Sequence, residues 1–341
     1  MRHACLALVL SILATCAAAL EIEDHRFFEG TGERVLRIVS TADLEVFEPY
    51  LLAFQSTRPA LSIDYTVVSS AELYRAIRGN AAFDLAVSSA MDLQFQLAND
   101  GFARTHQSDA ARALPDWARW RDLIFAFTAE PAVMVLSTRR FEGLALPETR
   151  QDLIALLRQN QDRFENTVGT YDVRESGLGY LFATQEARST DAYWRLSEVM
   201  GRLNPKLYCC SGQMIDEVAE GRLAFAYNVL GSYAAERLAR DSGGQIQIVA
   251  MQDFANVILR TALIPANATE PAAAGALIDM LVTLGLRDDR GDWPLPPLNQ
   301  TGAADVAGFG PIRLGPALMV YLDPLNRRTF LTEWQNAMVQ R

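Results

Sequence analysis

The chain has 341 residues, half of them hydrophobic, and a formal net charge of −10. That length is enough for two domains or lobes with a sizeable core. The acidic balance argues against nucleic acid and against an anionic membrane surface as partners.

Arg2 and His3 precede an apolar run over 6–13, and Ala17-Ala18-Ala19 follows as a small-residue cleavage site. Residues 1–19 therefore read as a signal peptide, and the run is too short for a stable membrane span. No later stretch is long and apolar enough to be one, so the mature protein is expected in the periplasm, as a soluble monomer. Residues 13–16 also approach a lipoprotein signal. Cys16 would carry the lipid, although Thr15 is a poor residue before it. Outside the signal only Cys209, Cys210, His25 and His106 remain of their kinds. Two adjacent cysteines are no disulfide framework, and two histidines offer little to zinc, so neither metal nor cofactor is expected.

Residues 20–34 read as a polar lead-in. A strand is predicted over 35–39, ending at Ser40-Thr41. A helix follows with Val46, Phe47, Tyr50, Leu51 and Phe54 on one stripe. A second strand over 61–68 ends at Ser69-Ser70 and leads into a helix that stops near Gly79. A third over 83–87 ends at Ser88-Ser89 before a helix from Met91. Three strand–helix repeats with apolar strands indicate an α/β fold with a mostly parallel sheet and helices on both faces. In open sheets of this kind, ligands bind beyond the carboxyl ends of the strands. Ser40, Thr41, Ser69, Ser70, Ser88 and Ser89 all fall at that edge and are candidate ligand contacts.

Residues 123–127 and 132–137 are β-rich, interrupted at Glu130-Pro131, and fit a strand crossing to a second lobe. The helix Arg150–Gln159 precedes a short strand, Val168–Tyr171, and a polar turn. Ser176-Gly177 opens the next helix, offering a hydroxyl and free backbone N–H groups to an anion. Arg174, in the same turn, is a candidate for a bidentate grip on that anion, or a surface arginine paired with Asp172 or Glu175. A helix over 191–203 leads to Cys209-Cys210-Ser211-Gly212 and a helix over 213–220. Cys210 and Ser211 are candidate contacts there. The pair of cysteines reads either as a vicinal disulfide or as two reduced thiols acting as small hydrophobes, the latter preferred. A strand over 223–227 ends at Tyr227-Asn228, again candidate contacts. After strand Ile246–Val249, residues 259–265 look like a strand returning to the first lobe, followed by a helix over 272–284. A last amphipathic helix lies around 330–338. The two runs of alternation predict lobe one from 35–130 plus 259–341, and lobe two from 131–258.

With Val35 to Ser40, Phe83 to Ser89, Ser176 to Tyr180, Gly221 to Asn228 and Ile264 to Ala268 in this order, the chain resembles the type II periplasmic substrate-binding proteins of ABC transporters. It resembles most the branch that holds ferric-ion, phosphoglycerate and hexose-phosphate binding proteins. The resemblance implies two α/β lobes that close over a ligand like a hinge. It also implies an ABC permease, or a membrane sensor kinase, as partner. Iron-binding members use two adjacent tyrosines after the strand that here ends at Tyr227. This chain has Asn228 in the second place, which counts against ferric iron. A small anionic organic metabolite, phosphorylated or not, fits better. The chain lacks G-x-S-x-G, S-x-x-K, H-E-x-x-H and Walker patterns, so a binding protein is expected rather than a hydrolytic enzyme.

Overall fold

The computed structural model describes residues 20–288, 291–298 and 311–340. The signal-peptide reading and Cys16 lie outside these residues. Among the described residues, no helix is long and apolar enough to cross a membrane.

The chain begins with β1 (Ile22–Phe28) and then alternates through β2 (Val35–Ser40), α1 (Leu44–Ser56), β3 (Ser62–Val68), α2 (Ser70–Arg78), β4 (Leu85–Ser88) and α3 (Met91–Asn99). The short elements β5 (Ala103–Arg104), α4 (Asp109–Ala113) and β6 (Arg119–Trp120) lead to β7 (Ile124–Ser137). A second run follows: α5 (Arg150–Gln159), α6 (Gln161–Phe164), β8 (Val168–Tyr171), α7 (Gly177–Ser189), α8 (Ala192–Arg202), β9 (Lys206–Tyr208), α9 (Ser211–Ala219), β10 (Phe225–Leu230), α10 (Gly231–Ala239) and β11 (Ile246–Val249). The chain closes with β12 (Val257–Pro265), α11 (Pro271–Gly285) and α12 (Pro324–Met338).

Local sequence explains most of these boundaries. Ser69 and Ser176 cap α2 and α7 through their hydroxyls, Thr149 and Asp152 form a capping box on α5, and Pro271 opens α11. β1 replaces the expected polar lead-in. It pairs antiparallel with β3 at the sheet edge, and its mostly charged, exposed side chains conceal it from pattern reading.

The strand order is β1-β3-β2-β4-β12-β7-β10-β8-β9. Parallel pairing joins β2 to β3 and β4, and β8 to β9 and β10. Between these two groups run β12 and β7, antiparallel to each other and to their outer neighbours, so the sheet as a whole is mixed. The interruption expected at Glu130-Pro131 is instead a change of partner. β7 is continuous; it pairs with β12 up to Pro131 and with β10 from Ala132. Proline donates no N–H, which suits it to the changeover.

The crossing point is polar and fully buried. Arg260 Nε and Nη2 donate to the two Glu130 oxygens at 2.8 and 3.2 Å. Thr128 Oγ1 donates to Glu130 at 2.8 Å, and the Ser232 hydroxyl of α10 donates as well. Two large apolar clusters surround it. One contains Leu36, Phe47, Phe54, Ile63, Leu85 and Leu277 and continues across the crossing to Leu181, Met214 and Val229; the other contains Leu153, Phe164, Val168, Leu196, Phe225 and Trp334. The second core holds a correction. α12, expected with the first lobe, packs Phe330, Trp334 and Met338 among residues of α5, α7 and α8. These three recur every four residues and so share one helix face. Gly201 of α8 makes the close approach, since a Cβ there would lie 2.1 Å from the Ala337 carbonyl oxygen.

Candidate functional site

The parallel strands of both groups end at one crevice, and helices begin there. The residues just before α1, α2, α7 and α9 are Asp43, Ser69, Ser176 and Cys210. All four line a single narrow cavity of about 50 Å³, together with Thr41, Ser70, Ser89 and Ser211. A larger chamber of about 780 Å³ continues from it, lined by Ser69, Ser176, Gly177, Arg174, Arg75, Tyr74, Tyr180, Asp92 and Arg327 among others.

The hydroxyls are held by local turns. Ser69 Oγ accepts from Glu72 N at 3.2 Å, Ser176 Oγ from Gly179 N at 3.1 Å, and Thr41 Oγ1 from Ser89 N at 3.1 Å. Ser211 Oγ accepts from Leu230 N at 3.0 Å and is hydrogen-bonded to the Tyr171 hydroxyl. A hydroxyl that accepts one bond keeps its own O–H to donate, so Ser69 and Ser176 retain a donor for an anion, whereas Thr41 Oγ1 is also hydrogen-bonded to Ser89 Oγ at 3.4 Å.

The two sides of the crevice touch. Ser70 Oγ accepts from Gly177 N at 3.0 Å. Tyr233 Oη lies 3.0 Å from Asp43 N, and Arg240 Nη2 lies 3.1 Å from a Glu45 oxygen. These contacts join residues before β7 to residues after it, so the described arrangement is a closed one.

Four sequence candidates stand elsewhere. Ser40 Oγ accepts from Ala42 N at 2.9 Å and Ser88 Oγ from Ala90 N at 3.1 Å. Both are buried behind the strand ends, shaping the turns rather than facing the crevice. Tyr227 and Asn228 donate to the buried Glu186 carboxylate, which also receives Arg150 Nε. Asn228 has φ 62°, a left-handed conformation that asparagine tolerates, and it sits where the β10–β7 register shifts. That kink turns the pair inward. Arg174 lines the larger chamber, but its guanidinium is engaged by Asp172, with Nε 2.8 Å from Oδ1.

Cys209 and Cys210 form a disulfide, against the reduced state preferred from sequence. Cys209 lines both cavities and Cys210 the narrow one. A Glu23 oxygen lies 3.9 Å from Cys210 Sγ. Glu23 and the two cysteines cluster closely enough to suggest a metal, but sulfurs joined to each other offer no thiolate.

Sequence reasoning missed the acids of the crevice. Burial pushes the Glu23 carboxyl up, helped by Asp43 and Glu21. Burial also raises Asp43, with Arg260 opposing. Asp92, second in α3 and 3% exposed, is pushed up to about 7 by burial, against the pull of its own helix N–H groups and of Arg327. Asp92 follows the Ser88-Ser89 strand end closely and was findable by the strand-edge rule. Arg327 carried no signal, because α12 lies far along the chain from every other lining residue.

The family model for bacterial extracellular solute-binding proteins matches residues 39–284. The chain is similar to the substrate-binding protein of an ABC transporter from Agrobacterium tumefaciens, with 28% identity, TM-score 0.85 and coverage of 92% of this chain and 98% of that one. It is similar in fold to AfuA from Actinobacillus pleuropneumoniae with fructose-6-phosphate bound (14% identity, TM-score 0.73, 91% and 100% covered). The same holds for the apo ferric ion-binding protein A of Pasteurella haemolytica (16%, 0.66, 91% and 99%). No curated protein sequence matches the chain significantly.

Proposed function

The chain belongs to the bacterial extracellular solute-binding proteins, and from that premise we propose that it captures a small anionic organic metabolite between its lobes for ABC-type uptake. One observation carries the anionic part: the N-cap residues of α1, α2, α7 and α9 line the same cavity. Helix N-termini present unpaired N–H groups and the positive end of the helix dipole, so their convergence favours negative charge. AfuA, of similar fold, holds a sugar phosphate, which is in keeping with this reading. The contacts we assign are Thr41, Ser69, Ser70, Ser89, Arg174, Ser176, Gly177, Cys210 and Ser211. The lobes we assign are 35–130 with 257–298, and 131–256 with α12.

A thermal-shift screen of phosphorylated sugars and short carboxylates tests the reading. At least one is expected to raise Tm with a dose dependence, since a ligand at one hundred times Kd adds about 2.7 kcal/mol. Recovery of that compound unchanged supports capture. Its conversion to a product, or no shift with any anion, overturns the proposal.

A further inference from the structure

We propose that the narrow cavity selects a singly charged head group, so that the solute binds through a carboxylate, and that Glu23 and Asp43 are the residues that reject a second negative charge. The inference rests on the anion reading above and names the class of ligand within it.

Chain pairing places both acids at this cavity. β1 runs antiparallel to β3, so its first residues lie beside Val68, at the carboxyl edge that leads into Ser69. Ile22 pairs with Val68 and Asp24 with Val67, which leaves Glu23 as an extra residue between them. A bulge of this kind re-aims a side chain. Glu23 Oε1 lies 3.9 Å from Cys210 Sγ, across the crevice. Asp43 precedes α1, and its Oδ2 lies 3.4 Å from the place a Cβ on Gly212 would take. Cys210 and Gly212 line the narrow cavity, as do the two acids themselves, and both acids are exposed rather than packed away.

The charges around the cavity are one-sided. It gathers the starts of α1, α2, α7 and α9, several hydroxyls and these two carboxyls, and among the described residues no arginine or lysine lines it. Each helix end supplies a partial charge of about half an elementary charge. Burial raises the Glu23 carboxyl, and Asp43 and Glu21 raise it further. Burial also raises Asp43, with Arg260 opposing, but Arg260 is committed to Glu130 through Nε and Nη2. The adjoining chamber adds no surplus of positive charge. Arg75, Arg174 and Arg327 line it, but so do Glu21, Glu23, Asp92 and Glu175. Arg75 pairs with Glu72, and Arg174 with Asp172.

Attraction to fixed charges grows in proportion to the charge of the ligand, whereas the cost of leaving water grows as its square. Helix ends opposed by two carboxylates leave a weak field, which offsets the desolvation of one charge and not of two. A carboxylate brings one charge and two acceptor oxygens, which suit the free O–H donors of Ser69 and Ser176 and the helix N–H groups.

Isothermal titration at pH 8 tests this with two matched series. One is propionate, ethyl sulfate and ethyl phosphate; the other is glucuronate, glucose 6-sulfate and glucose 6-phosphate. The carboxylates and sulfates carry one charge and the phosphates about two, since the second phosphate pKa is near 6. Sulfate and phosphate esters share a tetrahedral shape, so that pair isolates charge. In at least one series, wild-type protein is expected to bind the carboxylate tenfold or more tighter than the phosphate, and the sulfate tighter than the phosphate. Glu23→Gln and Asp43→Asn are each expected to raise affinity for the phosphate by the square of the factor for the carboxylate, about tenfold against about threefold. A phosphate bound as tightly as its carboxylate partner overturns the inference and leaves the anion reading standing. A sulfate as weak as the phosphate shows that shape is sorted rather than charge, and removes the role of the two acids. Equal factors for phosphate and carboxylate in both variants remove it too. Absence of binding by all six compounds removes the anion reading itself and this inference with it. The comparison on wild-type protein needs no variant, so the test stands even if one fails to fold.

Discussion

Gly177 has no room for a side chain. A Cβ there would lie 2.6 Å from Ser70 Oγ and 2.8 Å from Leu93 Cδ1, both on the opposite side of the crevice. Its backbone N–H is also the donor to Ser70. The clash exists only when the lobes meet, so Gly177→Val is expected to leave the unliganded protein folded and to weaken ligand binding tenfold or more. Small-angle scattering with and without ligand checks it: the variant should fail to contract. A variant that contracts normally would show that the lobes do not pinch at this residue. Asp92 yields a second expectation, this one in pH. Its folded pKa, about 7, lies above the unfolded value of about 3.9. Between those values the native state holds the extra proton, so stability falls as pH rises. Asp92→Asn removes that dependence. Without ligand, its Tm relative to wild type is expected to be higher at pH 8 than at pH 5, with about 1.4 kcal/mol of stability for each pKa unit titrated. A gap that stays constant with pH would contradict the burial of this charge.

Among elements, the strand–helix turns were the legible part of the candidate site. Thr41, Ser69, Ser70, Ser89, Ser176 and Ser211 were readable because apolar strands ending in small hydroxyl residues mark a carboxyl edge, and the structure brings these six to one cavity. The same rule also took in Ser40 and Ser88, one residue too early in their strands. Alternation sends successive side chains to opposite faces, and a single sequence does not say which of a pair faces the crevice. β1 and α12 were not legible in their roles. β1 is an edge strand with little apolar patterning, and the partner of α12 is more than a hundred residues away in sequence. Glu23 of β1, Glu21 just before it and Arg327 of α12 reach the larger chamber. The redox state of the turn before α9 was likewise open, since adjacency alone permits either form. The disulfide there makes a direct prediction. Protein beginning at residue 20, denatured and alkylated without reductant, should carry no thiol label at Cys209 or Cys210, and two after reduction. Because Cys209 lines both cavities, reduction is also expected to change the affinity for any ligand found, and unchanged affinity would place the turn outside the site.

At the scale of the whole molecule, β7 and β12 join the two groups of parallel strands, and the Glu130–Arg260 pair lies where β7 changes partner. Both residues are 0% exposed. Burial alone would raise the Glu130 carboxyl, but Arg260 and the hydroxyls of Ser232 and Thr128 outweigh it and hold it below the usual glutamate value. A depressed folded pKa contributes stability above the unfolded value of about 4.3, and that contribution is lost as pH falls through the folded value. Wild-type stability should therefore be insensitive to this group between pH 5 and 8. Arg260→Met removes the compensating charge and strands a buried carboxylate, at a cost of about 3–5 kcal/mol. The sign of the titration then reverses. Burial pushes Glu130 above its unfolded value, and the variant should gain stability on acidification from pH 7 to pH 5. Adding Glu130→Gln to Arg260→Met should recover part of the loss at pH 7 and abolish the gain at low pH, because no charge is left to bury. Urea denaturation of the three proteins at both pH values gives the answer. If Arg260→Met unfolds at the same midpoint at pH 5 and pH 7, the carboxylate is not confined by this pair, and water or movement at the crossing must be relieving it.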